Sequence, residues 1–448
     1  MLRTLFFWTL LLSFSYAGHT QQVDWLKAGG GISYDGGLGI TVDEAGNSYS
    51  TGGIYISYDY PKWGNDTIWP WSRRLLEGYI VKHDYSGNNL WTVSFGGTGN
   101  DIGSDIEMLS DSTFILVGSY TSIDAKFDTI NAPAPNNEGV IFIAKYDTSG
   151  HIYWLRTAQV YKGVNTAPVN NRNRPKVSVS ANGDIVLSVS YKTSIKFGST
   201  TLTGGSSYHS AFASYDKDGN LKWAKSLISK SIDRTFNVTS DASGNFYTSG
   251  NFFDTLKLGN VTLTTGGTTT SRIFVAKFDT AGNAVWAKKH GTNNFDEAFG
   301  IAVDKFNHLF VSGRFNYTVK FGTINLSTNT YSGNSWDNYV VMFDTSGTAK
   351  WAKAFGGLGT PSTSNYNDRC FIVGVDNQGN AGLSGMFGAS LGKFGKDTVL
   401  GANAAPNIFI SLVDSSGNFK WTVTGTSQTF LQNLAEDIAI DTSNNFYV

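Results

Sequence analysis

The chain has a single cysteine, Cys370, so no intrachain disulfide framework can hold it together. Only 8 of its 448 residues are proline, too few for a polyproline or low-complexity linker. Neither sign of charge dominates: 34 basic residues face 35 acidic ones with no basic stripe, which sets nucleic acid aside as a partner. No apolar run reaches the roughly 20 residues that a membrane-spanning helix needs. The six histidines, His19, His83, His151, His209, His290 and His308, show no metal-ligand spacing. With disulfides and metals removed from the list, stability has to come from packing.

Glycine and aromatic residues are abundant instead. The 51 glycines and 14% aromatic content suit many short strands joined by tight turns. At the N-terminus, Arg3 precedes an apolar run from Leu5 to Leu12, and Ser15-Tyr16-Ala17 has the small-x-small pattern that signal peptidase cuts. Residues 1–17 are therefore expected to be a signal peptide, and the mature protein to be secreted or displayed on the cell surface.

The stretch from Phe274 to Lys288 reads as two apolar runs joined by Asp279-Thr-Ala-Gly282-Asn283, a β-hairpin. Variants of it recur, so that Trp25, Trp91, Trp154, Trp223, Trp286, Trp351 and Trp421 stand at spacings of 66, 63, 69, 63, 65 and 70 residues. A second set of turns of the same kind begins at Asp43, Asp241, Asp304, Asp376 and Asp441. In both, Asp bonds the backbone two residues on, and Gly, or Asn at Asn307 and Asn444, supplies the left-handed conformation. Two hairpins per unit make four strands, A to D from the inside out. Four-stranded antiparallel units repeating along a chain with no helical pattern between them predict an all-β fold, a β-propeller.

The units resemble the SBBP repeats of exported bacterial proteins, which form seven-bladed propellers. Ile301-Ala-Val303-Asp304 with Phe310-Val-Ser-Gly313, and Phe246-Tyr247-Thr-Ser-Gly250 with Phe274-Val-Ala-Lys277-Phe278-Asp279, carry the likeness. It extends over residues 24–448 as one propeller domain, 18–448, and implies a fold more than an activity. Complete blades are expected at about 38–95, 103–158, 176–225, 235–289, 298–355 and 370–423. Residues 435–448 and 23–28 would share a seventh that lacks strand C, with residues 23–28 as its strand D. Asn445-Phe-Tyr-Val448 stops in a strand that elsewhere continues to a glycine, so the sequence is expected to be a fragment whose parent supplies that strand.

Antiparallel strands put the A–B and C–D turns on one face and the longer B–C and D–A connections on the other, where binding is expected. Eight residues before each inner turn stand Asp35, Asp101, Arg172, Asp233, Asp296, Asp368 and Asn433. The carboxylates Asp35, Asp101, Asp233, Asp296 and Asp368 either form a ligand-binding ring at the channel mouth or bond the backbone of their own loops and lock neighbouring blades. In the first B–C loop, Trp63, Trp69 and Trp71 either stack on a sugar or protein partner or cover the blade edge. The repeated tryptophans themselves read as inter-blade packing.

No catalytic constellation emerges. Sialidase boxes differ in spacing from Asp279 to Gly282, and the quinoprotein pattern is one residue longer than Asp279 to Trp286. No cofactor and no metal site are expected. The leading reading is a monomeric, non-enzymatic scaffold that binds an unknown protein or glycan through its loop face. The alternatives are a structural spacer in a larger surface protein or a quinoprotein-like enzyme.

Overall fold

The computed structural model describes residues 13–17, 23–27, 29–30, 35–55, 60–64, 66–68, 75–136, 138–161, 174–229, 234–267, 271–292, 295–328, 336–358, 368–401, 407–426 and 436–448. Blade five shows how each repeat folds. Its strands are Glu297–Val303 (A), Leu309–Asn316 (B), Trp336–Phe343 (C) and Ala349–Gly357 (D), paired antiparallel in that order. Strands B and C lie between neighbouring blades and are buried on both faces, so they read as nearly continuous apolar runs, as in Tyr339, Val340 and Val341. Strand D has one wet face and alternates: in blade four Val285 is exposed while Trp286 is half-buried.

The same arrangement recurs from blade one, Asp35–Val42, Ser48–Tyr55, Leu76–His83 and Asn89–Phe95, to blade six, Arg369–Val375, Ala381–Phe387, Asn407–Val413 and Phe419–Thr426. Six complete four-stranded blades form a β-propeller, as the repeat predicts. A seventh position holds the hairpin Ala439–Ile440 and Phe446–Tyr447, which contacts the A strands of blades one and six. Asp437 Oδ2 accepts the N–H of Ile40 at 2.9 Å, and Tyr447 donates its hydroxyl to the Gly46 carbonyl at 3.1 Å. The C-terminal hairpin is thereby fastened to blade one.

Two elements differ from the sequence reading. Residues 23–27, expected as the outer strand of the seventh blade, are not a strand, because among the described residues no neighbouring strand offers them a hydrogen-bonding ladder. Further upstream, Ser13–Ala17 pairs with the outer strand of blade six, Ser13 opposite Thr426 and Ala17 opposite Thr422. This strand lies within the expected signal peptide.

The B–C connections also differ, being regular hairpins where variable loops were expected. In blades three, four and six the hairpin pairs with the outer strand of the preceding blade. Ser194–Phe197 pairs with blade two from Ala158 to Tyr161, Thr255–Leu258 with blade three at Ile228 and Ser229, and Leu391–Phe394 with blade five at Gly356 and Gly357. The sequence behind them recurs: Lys62-Trp63-Gly64, Lys126-Phe127-Asp128, Lys196-Phe197-Gly198, Lys257-Leu258-Gly259, Lys320-Phe321-Gly322 and Lys393-Phe394-Gly395. The third residue takes a left-handed turn, with φ between 49° and 61° in all six. The second is buried across the blade boundary, as in Phe321, 5.6 Å from His290 of blade four and 4.9 Å from Tyr339 of blade five.

Candidate functional site

The carboxylates expected at the channel mouth are placed on their own D–A loops. Asp101 Oδ2 accepts the Gly97 N–H at 2.8 Å and the Ser122 hydroxyl at 2.5 Å. Asp296 Oδ2 accepts the Thr292 N–H at 2.8 Å. Asp368 accepts Gly357 N–H at 2.6 Å and Gly388 N–H at 3.0 Å, one on each oxygen. All three are buried, whereas Asp35 is half-buried, and Asp233 lies outside the described residues.

The loop turns over each carboxylate at a glycine with positive φ: Gly30 for Asp35, Gly96 for Asp101, Gly291 for Asp296 and Gly356 for Asp368. A Cβ there would stand 1.9 to 2.6 Å from the carboxylate oxygen, so the backbone approaches closely only because the residue is glycine. Asp101, Asp296 and Asp368 are thus engaged with loop backbone. Burial pushes Asp296 up to about 7, against the Thr292 N–H and the Arg272 guanidinium, and burial with the nearby Asp337 carboxylate pushes Asp368 well above the usual range.

Of the aromatic candidates in blade one, Trp63 is buried, its ring 4.7 Å from that of Tyr79. Trp69 and Trp71 lie outside the described residues. In blades one to five, five of the seven repeated tryptophans donate their indole N–H to the C–D turn of the next blade: Trp91 to Thr148, Trp154 to Lys217, Trp223 to Thr280, Trp286 to Thr345 and Trp351 to Ser415, at 2.8 to 3.3 Å.

Four and five residues before the inner turn the inner strand departs from regular pairing, and the side chains there are largely buried, Phe299, Arg314 and Asp105 among them. Strand A carries a β-bulge in blades one, two, four, five and six, between Gly37 and Gly39, Gly103 and Asp105, Thr235 and Asn237, Ala298 and Gly300, and Cys370 and Ile372. The bulged Phe299 and Phe371 lie ring to ring at 5.6 Å. Beside them Arg314 spreads its guanidinium 4.1 Å from the ring of half-buried Trp336 and pairs with Glu297 at 2.5 Å. The equivalent B-strand residues in blades one, four and six are Gly53, Asn251 and Met386, so the repeat does not require an arginine there.

The opposite wall is charged. Lys176 lies 3.4 Å from Asp105, and Arg174 lies 3.8 Å from Glu436. Asp105 and Glu107 also accept the inward N–H groups of Val177 and Val179, at 2.9 and 3.0 Å. Burial pulls Lys176 down, but the carboxylates of Asp105 and Asp437 outweigh it and hold the ammonium above its ordinary value. Burial pushes Asp437 up to about 7, with Lys176 opposing and Asp105 adding to it. The sequence places Arg174 in a solvated crossing between Tyr161 and Lys176, whereas its side chain is only 11% exposed, and Asp105, Glu107, Glu436 and Asp437 carry no such reading. Aligning the repeats four residues before the turn puts Gly39, Asp105, Lys176, Asn237, Gly300, Ile372 and Asp437 in one row, and the reversal of charge along that row is the signal.

Among the described residues no group of three or more His, Cys, Asp or Glu side chains could hold a metal ion, and no helix is long and apolar enough to cross a membrane. Fold and repeat together make this a β-propeller repeat protein, an architecture that fits a protein-binding scaffold.

No family model matches the chain. It is 22% identical over 364 residues, 68% of its length, to the uncharacterized WD repeat-containing protein L264 of Acanthamoeba polyphaga mimivirus, and it spans 26% of that protein. Among solved structures it is similar to a protein of unknown function from Bacteroides caccae, at 7% identity and a TM-score of 0.37, covering 86% of this chain and 96% of that one. It is also similar to Sqt1 from Chaetomium thermophilum, at 10% identity and a TM-score of 0.36, covering 87% and 84%.

Proposed function

We propose that the chain is an exported, monomeric, non-enzymatic scaffold that binds a protein partner at the loop-face mouth of its channel. The observation that carries this reading is the wall formed by Phe299, Arg314, Trp336 and Phe371, which the repeat does not dictate and which no other blade reproduces at the Arg314 position. Aromatic rings and arginine are the side chains that most often anchor partners, because they offer large contact area at small entropic cost. A photo-crosslinking residue at Trp336, compared with one at Asp344 on the turn face, tests the reading in the native host. A discrete adduct from position 336 alone, lost with Arg314→Ala, is expected. Equal labelling from both faces, or a specific hit for the purified chain on a glycan array that Arg314→Ala abolishes, would overturn it in favour of a spacer or a glycan reader.

A further inference from the structure

Closure of the ring shares its charge balance with the seals beside it. Three channel carboxylates each accept an inward N–H of the next blade: Asp105 from Val177 at 2.9 Å, Glu107 from Val179 at 3.0 Å and Asp437 from Ile40 at 2.9 Å. The first two fasten blade two to blade three, and the third fastens the C-terminal hairpin to blade one. One ammonium serves Asp105 and Asp437 together: Lys176 of blade three stands 3.4 Å from Asp105 and feels the charge of Asp437 as well. The remaining members of their row, Gly39, Asn237, Gly300 and Ile372, carry no charge.

The surroundings of Asp437 leave that balance thin. Blade two brings Asp105 and Glu107, blade three brings Lys176 and Arg174, and the neighbouring Glu436 lies 3.8 Å from Arg174. The inner strands that contact the hairpin from blades one and six, Asp35–Val42 and Arg369–Val375, each hold one charged residue, Asp35 and Arg369, at the end remote from the inner turn. Four carboxylates, Asp105, Glu107, Glu436 and Asp437, thus share Lys176 and Arg174. Burial leads the upward shift of Asp105, Glu107 and Asp437, and the Asp105 charge adds to it at the other two. A carboxylate raised in this way binds its proton more tightly when the seam is shut. For Asp437, closure is therefore strongest below pH 3.8 and weakens as pH rises to about 7, above which shut and open forms are ionised alike.

We propose that the seam is a proton-linked latch: the hairpin seals onto blade one with a proton held among Asp105, Glu107 and Asp437, and loss of that proton sets two carboxylates against Lys176 and loosens the seal. The ring is then closed most tightly in acid surroundings, and Lys176 sets the pH at which loosening is complete. The charge carries this response rather than the hydrogen bond, since an amide oxygen would accept the Ile40 N–H at any pH.

The test follows hydrogen exchange at the Ile40 amide of the whole chain from acid to alkaline pH, each rate divided by the intrinsic rate at that pH to give a protection factor. In the native chain the protection factor is expected to fall by at least about tenfold between pH 3.8 and about 7 and to level off above that. Asp437→Asn keeps an acceptor for the Ile40 N–H but cannot ionise, and it should remove most of the fall. Lys176→Met withdraws the balancing charge, which raises the carboxylates further and should carry the fall beyond pH 7. Asp296→Asn in blade five should leave the Ile40 profile unchanged. A flat native profile, an equal fall in Asp437→Asn, or an unchanged levelling point in Lys176→Met would overturn the proposal. The Asp437→Asn comparison decides the matter even where Lys176→Met fails to fold.

Discussion

At the scale of single residues, the turn glycines carry two demands at once. Gly282 has φ +74°, and a Cβ on it would stand 3.0 Å from three ring atoms of Trp223, whereas Gly266 has φ +85° with open space around it. Alanine at a left-handed position costs roughly 1–2 kcal/mol by itself, and displacing a packed ring costs about 1–3 kcal/mol more. Gly282→Ala is therefore expected to lower stability about twice as much as Gly266→Ala in urea unfolding, and equal losses would show that the indole contact contributes nothing. His290 and Asp296 set opposing pH responses. Burial, with Lys288, pulls His290 from 6.5 to about 4, so the stability it contributes is complete above pH 6.5 and is lost as pH falls toward 4. Asp296 is raised from 3.8 to about 7, so its contribution is complete below pH 3.8 and is lost as pH rises through 7. Asp296→Asn, which keeps an oxygen for the Thr292 N–H, should flatten the decline between pH 3.8 and 7. His290→Leu should flatten the decline between pH 6.5 and 4. Each effect is on the order of 3 kcal/mol, measured by melts across pH. The Asp-x-x-Gly turns and packing tryptophans were legible because their residue types repeat. Asp105, Lys176 and Asp437 were not, because their position alternates in sign and only its geometry is constant.

At the scale of elements, four strands per repeat could be read from period-two patterning and paired turns. The crossover hairpins could not be read in the same way. Their strands are only two to four residues long, and in blades three, four and six they extend the preceding blade's sheet, not their own. The Lys-Phe-Gly recurrence was present throughout, but nothing in one sequence says that a B–C connection reaches back to another blade. Phe321 is the most direct probe of that role, since it touches rings in blades four and five. Phe321→Ala should cost about 3–5 kcal/mol, the range for removing a buried phenylalanine. If the hairpin merely decorates an edge, the loss will stay below about 1 kcal/mol, typical of surface substitutions.

At the scale of the whole molecule, closure joins residues about four hundred positions apart in sequence, Ile40 with Asp437 and Gly46 with Tyr447. The sequence indicated that the two ends share a blade, because Trp25 stands one repeat before Trp91. It did not indicate how the ends meet, because that depends on a carboxylate reaching the inward N–H of the next blade, and Asp437 takes the same role toward Ile40 that Asp105 takes toward Val177. A carboxylate accepting a backbone N–H in a buried setting is a charge-assisted bond, and removing it leaves the donor without compensation. The ring is therefore closed by a device that the repeat already uses between complete blades. Hydrogen exchange at the Ile40 amide, compared with the Val177 amide, reads this directly. Both should be protected in the native chain, and Asp437→Ala should release Ile40 by at least tenfold while leaving Val177 unchanged. An Ile40 amide that exchanges freely in the native chain, or that ignores the substitution, would contradict closure of the propeller through its C-terminal hairpin.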